Sequence, residues 1–196
     1  MIGRPLCGNP IQSGAGRSCR APGLCASAAM RGEIKPSDIT FRTDLRPGDI
    51  GAIVRFHGLV YAREHGFDHT FEAYVAKPLA EFACSASDRE RVWIAERAGQ
   101  LVGCIAIVAA TADVAQLRWF LVDPSARGVG LGKRLINEAL AFCRNCGYRS
   151  VVLWTVSALT TAARLYRSVG FRKVEEKPGR LWGVDLIEEK YECDLK

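Results

Sequence analysis

The chain has 196 residues, a formal net charge of +6, and 48% hydrophobic and 24% charged residues, which is typical of one folded domain with a hydrophobic core. No run of about 18 or more apolar residues occurs, so neither a transmembrane helix nor a membrane partner is expected. The modest positive charge fits an anionic ligand or weak nucleic-acid contact and does not decide between them.

The first 39 residues differ in composition from the rest of the chain. They are rich in Gly, Pro, Ser and Arg without hydrophobic periodicity, which predicts a disordered tail over residues 1–39 and a folded domain over residues 40–196. The apolar run 24–30 is too short for a signal peptide, and the glycines and prolines disfavour a transit-peptide helix. Met30 offers an alternative start of translation. Residues 1–40 hold five basic and two acidic residues without interleaved aromatics, so a nucleic-acid partner is disfavoured.

Regular hydrophobic patterns begin near residue 40. In chain order they predict a strand over residues 39–46, helices over 50–65 and 69–86, a hairpin over 91–110, a strand over 114–123, a helix from about 131 to 146, a strand over 150–156, a helix over 158–170, and strands over 171–176 and 190–195. Asp49 and Asp68 are placed to cap the first two helices, and Gly66 to end the first. Pro78 is expected to kink or split the second helix. This order predicts an α/β fold with a mixed sheet.

The eight cysteines are scattered, which is typical of reduced thiols in the cytoplasm rather than of a disulfide framework. Cys143 and Cys146 form a C-x-x-C pair without a second pair at zinc spacing, so we interpret them as residues of one helix face. His65 and His69 have a spacing that could ligate a metal, but Gly66 breaks the helix between them. We therefore predict that the chain holds no metal.

The segment DPSARGVGLGKRL, from Asp123 to Leu135, places three alternating glycines between a predicted strand and a predicted helix. Glycine lets the backbone approach a ligand, and the first turn of a helix carries unpaired N–H groups and a positive dipole end. Together these features predict an anion cradle whose usual ligand is phosphate. Arg127 and Lys133 add positive charge at its edges.

Two common phosphate loops do not fit this segment. The P-loop pattern requires one more residue between Gly128 and Gly132, and Arg134 stands at its hydroxyl position. The dinucleotide fingerprint requires a third glycine where Lys133 stands. A turn without a ligand is disfavoured, because strand, Asp-Pro turn, arginine, glycines and amphipathic helix occur in that order.

A third pattern, [QR]-x-x-G-x-[GA], is filled by Arg127, Gly130 and Gly132, and LVDPSARGVGLGKRLI resembles motif A of the GNAT superfamily of acetyl-coenzyme A dependent N-acetyltransferases. The segment LYRSVGF resembles the second signature of that family. The resemblance implies one domain with a mostly antiparallel central sheet and helices on both faces, and an enzyme that transfers acetyl from acetyl-CoA to a primary amine by direct attack. The segments RPGDIG, HGLVYAREHGFD and FEAYVA further resemble the acetyltransferase half of bacterial proteins fused to a MarR-type DNA-binding domain.

The resemblance also implies roles for individual residues. The loop residues that would hold the coenzyme A pyrophosphate are Arg127, Gly128, Val129, Gly130, Leu131, Gly132 and Lys133, and the backbone that would line its pantetheine arm belongs to Phe120, Leu121 and Val122. Tyr166 matches the tyrosine that protonates the departing thiolate, although its spacing from Leu159 and Ala162 also suits a core residue. Many relatives place a coenzyme-contacting asparagine before this helix, and this chain has none there.

The sequence does not assign the general base. Glu64, Glu72, Glu96 and a bound water chain are all candidates, and His57, His65 and His69 are expected to face solvent or the acceptor pocket. The acceptor amine is open between a small molecule and a peptide, and the oligomeric state between monomer and homodimer. The alternative function is that of a coenzyme A binding module that regulates without catalysis.

Overall fold

A seven-stranded sheet organises the chain in a computed structural model that describes residues 35–195. Its strands lie in the order β1-β2-β3-β4-β5-β7-β6. The strands are β1 (Ile39–Arg42), β2 (Arg91–Arg97), β3 (Gln100–Ala109), β4 (Val114–Val122), β5 (Ser150–Val156), β6 (Arg172–Leu181) and β7 (Val184–Asp194), and the helices are α1 (Asp49–His65), α2 (Thr70–Ser85), α3 (Leu131–Asn145) and α4 (Thr160–Ser168). The tail predicted over residues 1–39 falls almost entirely outside the described residues and stays a prediction.

All neighbouring strands are antiparallel except β4 and β5, which confirms the mixed, mostly antiparallel sheet. The parallel pairing of β4 with β5 runs only from Val114 opposite Ser150 to Gln116 opposite Val152. Both strands continue well beyond this point. They therefore diverge, and a wedge opens between them at their carboxyl ends.

A β-bulge on β4 lies beside this wedge. On β3 the step from Cys104 to Ala106 spans two residues, whereas their partners Leu121 and Arg118 are three residues apart on β4. Trp119, inside the bulge, has a φ of 48°, and its carbonyl oxygen accepts a hydrogen bond from the Cys104 thiol at 3.1 Å. Because a bulge bends its strand and interrupts the ladder, β4 turns away from β5 at this position.

Two hydrophobic cores lie on opposite faces of the sheet, as predicted. Helices α3 and α4 pack on one face and helices α1 and α2 on the other. The periodic face of α3 is fully buried in the first core through Leu135, Ile136, Ala139, Leu140 and Cys143. The second core joins Ile53, Phe71 and Val75 of the first two helices to the rings and aliphatic side chains of β2, β3 and β4.

The two predicted helix caps differ in the structure: at α2 the N-cap residue is His69, and the Asp68 carboxylate accepts a hydrogen bond from the Thr70 N–H at 2.9 Å. Gly66 ends α1 in the left-handed conformation as predicted, but the residue before α1 is Gly48, with a φ of 97°, rather than Asp49. The Asp49 carboxylate instead accepts a hydrogen bond from the backbone N–H of Arg46. Helix α2 is continuous through Pro78, so the predicted split does not occur.

Strands β6 and β7 form a hairpin longer than the two short strands predicted at 171–176 and 190–195. Nearly every residue of β6 is exposed, so this edge strand shows no apolar alternation that could have revealed it. Its turn, Trp182–Gly183, is held to the loop between α1 and α2 by a hydrogen bond from the Asp68 N–H to the Trp182 carbonyl oxygen at 2.9 Å. The five cysteines in the described part of the chain are free thiols.

A partly buried ion cluster joins β1, β2 and the start of α1. The Arg42 guanidinium lies 2.6 Å from the Asp49 carboxylate and 2.9 Å from the Glu96 carboxylate, and the Arg42 side chain is 9% exposed. Burial raises the pKa of the Asp49 carboxyl, but hydrogen bonds from Arg42 and the Arg46 backbone outweigh burial and leave this pKa below its ordinary value. The cluster therefore stabilises the fold above the ordinary pKa of Asp and loses that contribution as the pH falls.

We expect Arg42→Met to lower the free energy of unfolding by about 2 kcal/mol at pH 7, since three charge-assisted hydrogen bonds to Asp49 and Glu96 are lost from a mostly buried site. The difference from the parent protein should shrink as the pH falls below about 4. Urea denaturation at several pH values measures both effects. The matched control is Arg46→Met, because Arg46 and its partner Asp44 are each 59% exposed and should contribute less than about 0.5 kcal/mol. Equal losses in the two variants would contradict this account of the cluster.

Candidate active site

A groove of about 480 Å³ runs along the wedge between β4 and β5. Its floor is the end of β4, and its walls are the glycine loop, the start of α4 and the last turns of α1. Of the residues that the sequence predicted to bind coenzyme, the groove is lined by Phe120, Leu121, Val122, Arg127, Gly128, Gly130, Leu131, Gly132 and Lys133. Val129 does not line it, because its side chain packs against the core.

The glycine loop offers open backbone at the start of α3. Gly128 and Gly130 both have a φ of +84°, and a Cβ at either position would project into open space. Arg134 donates the first intrahelical N–H bond, to Gly130, so the preceding N–H groups of α3 have no partner within the helix. Gly132 differs, since a Cβ there would lie 3.3 Å from the Leu165 side chain. The first two glycines thus keep the cradle open, and the third permits close packing of α3 on α4.

A carboxylate on α1 pairs with one of the two basic side chains at the cradle. Arg127 forms two contacts of 2.9 Å with the Glu64 carboxylate on α1, and its Nε donates to the Val122 carbonyl oxygen at 3.2 Å. This pairing fixes the guanidinium at the rim of the groove and neutralises part of its charge. No carboxylate pairs with Lys133 within residues 35–195, which leaves its ammonium available to an anion. The start of α4 adds the unpaired N–H groups of a second helix to the groove.

A second, smaller cavity of about 100 Å³, here called the inner cavity, adjoins the groove. Tyr61, Phe120, Leu159 and Tyr166 line both spaces, so the two meet at these side chains. The aromatic side chains that wall the inner cavity are Tyr61, Phe67, Phe71, Tyr74, Trp119, Phe120, Trp154, Tyr166 and Trp182. The ring of Trp182 packs 4.9 Å from Phe67 and 4.8 Å from Phe71, so the tip of the β6–β7 hairpin closes one wall.

Tyr166 lies at the junction of the groove and the inner cavity. Its side chain is 5% exposed and packs against the rings of Phe120, Phe171 and Tyr191 at about 6 Å. The described residues place no hydrogen-bond partner on its hydroxyl. Burial raises the pKa of Tyr166, and Tyr61 and Tyr191 raise it further, so the phenol stays protonated at neutral pH. Tyr166 is therefore both a core residue and a proton donor facing the junction.

Tyr61 is a second phenol at the junction, and the sequence did not single it out. It lies on α1, its ring packs 4.6 Å from Phe71, and burial raises its pKa as well. Its signal in the sequence is that of an ordinary apolar-face residue on an amphipathic helix. Nothing local therefore distinguishes it from a core residue.

The three carboxylates considered as a general base form their contacts outside the inner cavity. Glu96 belongs to the Arg42 cluster, Glu64 pairs with Arg127, and Glu72 packs against Gly58 between α1 and α2. None of the three lines the inner cavity, although Glu64 lines the groove. Glu188, which the sequence did not single out, does line it, and its carboxylate lies 3.6 Å from the Lys177 ammonium.

The three histidines occupy different environments. His57 is buried and lines the inner cavity, His65 lines the groove, and His69 is exposed. His57 is therefore not solvent-facing, and its assignment to an acceptor pocket stays a prediction. Within residues 35–195 no three His, Cys, Asp or Glu side chains lie together as metal ligands would. Over the same residues, no helix has both the length and the apolar character needed to cross a bilayer.

Comparison with known proteins identifies the family. Residues 57–171 match the model of the acetyltransferase (GNAT) family. An uncharacterised N-acetyltransferase of Schizosaccharomyces pombe is 30% identical over 148 residues, which cover 72% of this chain and 88% of that protein. The N-acetylaspartate synthetase of Danio rerio is 36% identical over 106 residues, which cover 54% of this chain and 34% of the relative. The likeness to proteins fused to a MarR-type domain stays a prediction.

Solved structures show the same fold. An acetyltransferase of Salmonella typhimurium, determined with its cofactor acetyl-CoA, has a TM-score of 0.66 and 20% identity over 81% of this chain and 95% of its own. An N-acetyltransferase of Staphylococcus aureus has a TM-score of 0.67 and 19% identity over 81% of this chain and 99% of its own. Both cover the described domain almost completely.

Proposed function

Because this chain belongs to the acetyltransferase (GNAT) family, we propose that it transfers acetyl from acetyl-CoA to a primary amine of a small molecule or peptide by direct attack. The observation that carries this proposal is that the groove and the inner cavity, which differ in size and lining, meet at Tyr166. The groove suits a long, anionic cosubstrate, and the inner cavity suits a small acceptor. The free, largely buried thiols support a cytoplasmic location.

The groove fits coenzyme A in its charge and shape. The open positions at Gly128 and Gly130 leave the backbone N–H groups at the start of α3 accessible to a pyrophosphate, with Lys133 and Arg127 beside them. Beyond Gln116, β4 has no β5 partner, so its backbone edge is free to bond an extended pantetheine arm as a neighbouring strand would. Phe120, Leu121 and Val122 lie on this edge. Bound acetyl-CoA supplies an already activated thioester.

Residues of the chain then carry the proton transfers of the reaction. The amine nitrogen forms a bond to the carbonyl carbon, the carbon–sulfur bond breaks, and the sulfur takes the phenol proton of Tyr166. The proton that the nitrogen loses returns to the Tyr166 oxygen, directly or through water, so the enzyme ends as it began. We expect backbone N–H groups at the bulge of β4 to bond the carbonyl oxygen as negative charge develops on it. No cysteine or metal is required for these steps.

The proposal is tested by free-thiol release from acetyl-CoA with a panel of amines, amino acids and peptide N-termini. We expect release that depends on the amine and yields the acetylated product in equal amount by mass spectrometry. Tight acetyl-CoA binding without amine-dependent release from any of these classes would favour the non-catalytic binding module.

Gly130→Ala should weaken acetyl-CoA binding by about tenfold or more, which corresponds to about 1.4 kcal/mol, because a Cβ would enter the cradle. Gly147→Ala is the matched control. Gly147 lies just beyond the other end of α3, has a similar φ of 75°, and also has open space around it. Both variants should lose similar stability from the left-handed backbone, but only the first should lose affinity in titration calorimetry. Parental affinity in a folded Gly130→Ala protein would contradict the cradle.

Tyr166→Phe should lower kcat by about 10²-fold with little change in the affinity for acetyl-CoA, since only the hydroxyl is removed. Tyr148→Phe controls for the loss of a buried hydroxyl far from both cavities, where the phenol donates to the Arg89 carbonyl oxygen. Steady-state thiol release and a melting curve on each protein separate catalysis from stability. If Tyr61→Phe shows the large loss and Tyr166→Phe does not, Tyr61 is the acid and the assignment of Tyr166 fails.

A further inference from the structure

The inner cavity contains two buried polar atoms that no protein group satisfies. They are Nε2 of His57 and Oγ1 of Thr155, on side chains that are 3% and 9% exposed. Leaving such an atom unpaired in an apolar site costs about 1–3 kcal/mol. Both residues line the same space. A ligand that enters the cavity therefore finds hydrogen-bonding capacity that the fold leaves unused.

The chemistry of the His57 atom follows from its neighbours. The other ring nitrogen, Nδ1, lies 2.9 Å from the Ile53 carbonyl oxygen, which can only accept, so Nδ1 carries the proton. Burial lowers the pKa of His57 to about 4, and the ring is neutral near pH 7. Nε2 is then unprotonated and can only accept a hydrogen bond. The ring is held nearly parallel to Tyr61, at a centroid distance of 6.2 Å and an angle of 7°.

The side chains that line the inner cavity limit which chemical group can donate a hydrogen bond to Nε2 of His57. They include aromatic rings on α1, α2, β4, β5 and the hairpin tip together with the charged side chains of Arg118 and Glu188, and the Glu188 carboxylate lies 3.6 Å from the Lys177 ammonium. Such a site disfavours an ammonium ion, since the Arg118 guanidinium repels it and the nearby carboxylate already has a cationic partner. The volume of about 100 Å³ is below the 150 Å³ of a known benzene-binding cavity, so the bound group is compact.

We propose that the inner cavity takes the neutral primary amine of a compact apolar acceptor, and that Nε2 of His57 accepts a hydrogen bond from its nitrogen. This inference rests on the proposed acetyl transfer. One N–H is held by His57, which turns the nitrogen lone pair towards the junction at Tyr166, where the thioester is expected. His57 touches the substrate and orients it, and the proton itself passes to Tyr166 as described above. Amines with a second cationic group are disfavoured by the Arg118 guanidinium in the cavity lining.

The first test compares kcat/KM for the compact apolar amines propylamine and isobutylamine with that for 1,4-diaminobutane. We expect the two apolar amines to exceed the diamine by about tenfold or more. His57→Phe keeps a ring beside Tyr61 and removes the acceptor atom, and it should lower kcat/KM for the apolar amines by about tenfold or more while leaving the KM for acetyl-CoA unchanged. His57→Gln, which restores an acceptor near Nε2, should recover most of this loss. His69→Phe is the control at an exposed histidine outside both cavities.

The second test does not depend on turnover. In protein labelled with ¹⁵N-histidine, the Nε2 resonance of His57 should be that of an unprotonated ring nitrogen and should shift on addition of isobutylamine but not of 1,4-diaminobutane. A preference for the diamine, an unchanged kcat/KM in His57→Phe, or an Nε2 resonance that isobutylamine does not move would each overturn the inference. Absence of thiol release with every amine would instead defeat the proposed acetyl transfer, and the resonance would still report on amine binding.

Discussion

The site depends on the early separation of β4 from β5. The two strands pair over three residues and then part, although each continues in regular strand conformation. Backbone groups in the middle of a sheet rarely lack partners, because an unpaired buried N–H or C=O is costly. The β-bulge at Trp119 bends β4 locally, just beyond the last residue that pairs with β5. It leaves an open strand edge inside the protein that an extended ligand can complete, and both cavities lie along this edge.

The groove suits an anionic ligand, whereas the inner cavity suits an uncharged one. The groove uses helix starts, a lysine and a paired arginine at the surface, where an anion keeps much of its hydration and the dipoles add attraction. The inner cavity uses groups that burial keeps neutral, because it lowers the pKa of His57 and raises those of Tyr61 and Tyr166. Uncharged donors and acceptors avoid the desolvation cost that a buried charge carries. The reaction proposed here begins and ends with neutral species in that cavity.

The sequence predicted the features that are local in the chain. The glycine loop, the buried face of α3 and the order of elements each follow from short patterns, and nine of the ten residues proposed to bind coenzyme line one groove. The inner cavity was not predictable in this way. Its walls come from α1, α2, β4, β5 and the hairpin tip, and His57 and Tyr61 have the spacing of ordinary helix residues. Trp182 reaches the site only through a β6–β7 hairpin whose edge strand lacks apolar alternation.

The most direct test of the account is a crystal structure of the protein with acetyl-CoA. The account places the pyrophosphate on the N–H groups of residues 128–133 and the pantetheine arm along the β4 edge at Phe120–Val122. The thioester should lie at the junction, with its sulfur at hydrogen-bonding distance, about 3–3.5 Å, from the Tyr166 hydroxyl and its carbonyl carbon facing the inner cavity. A coenzyme bound outside the wedge, or a thioester turned away from Tyr166 and the inner cavity, would contradict it.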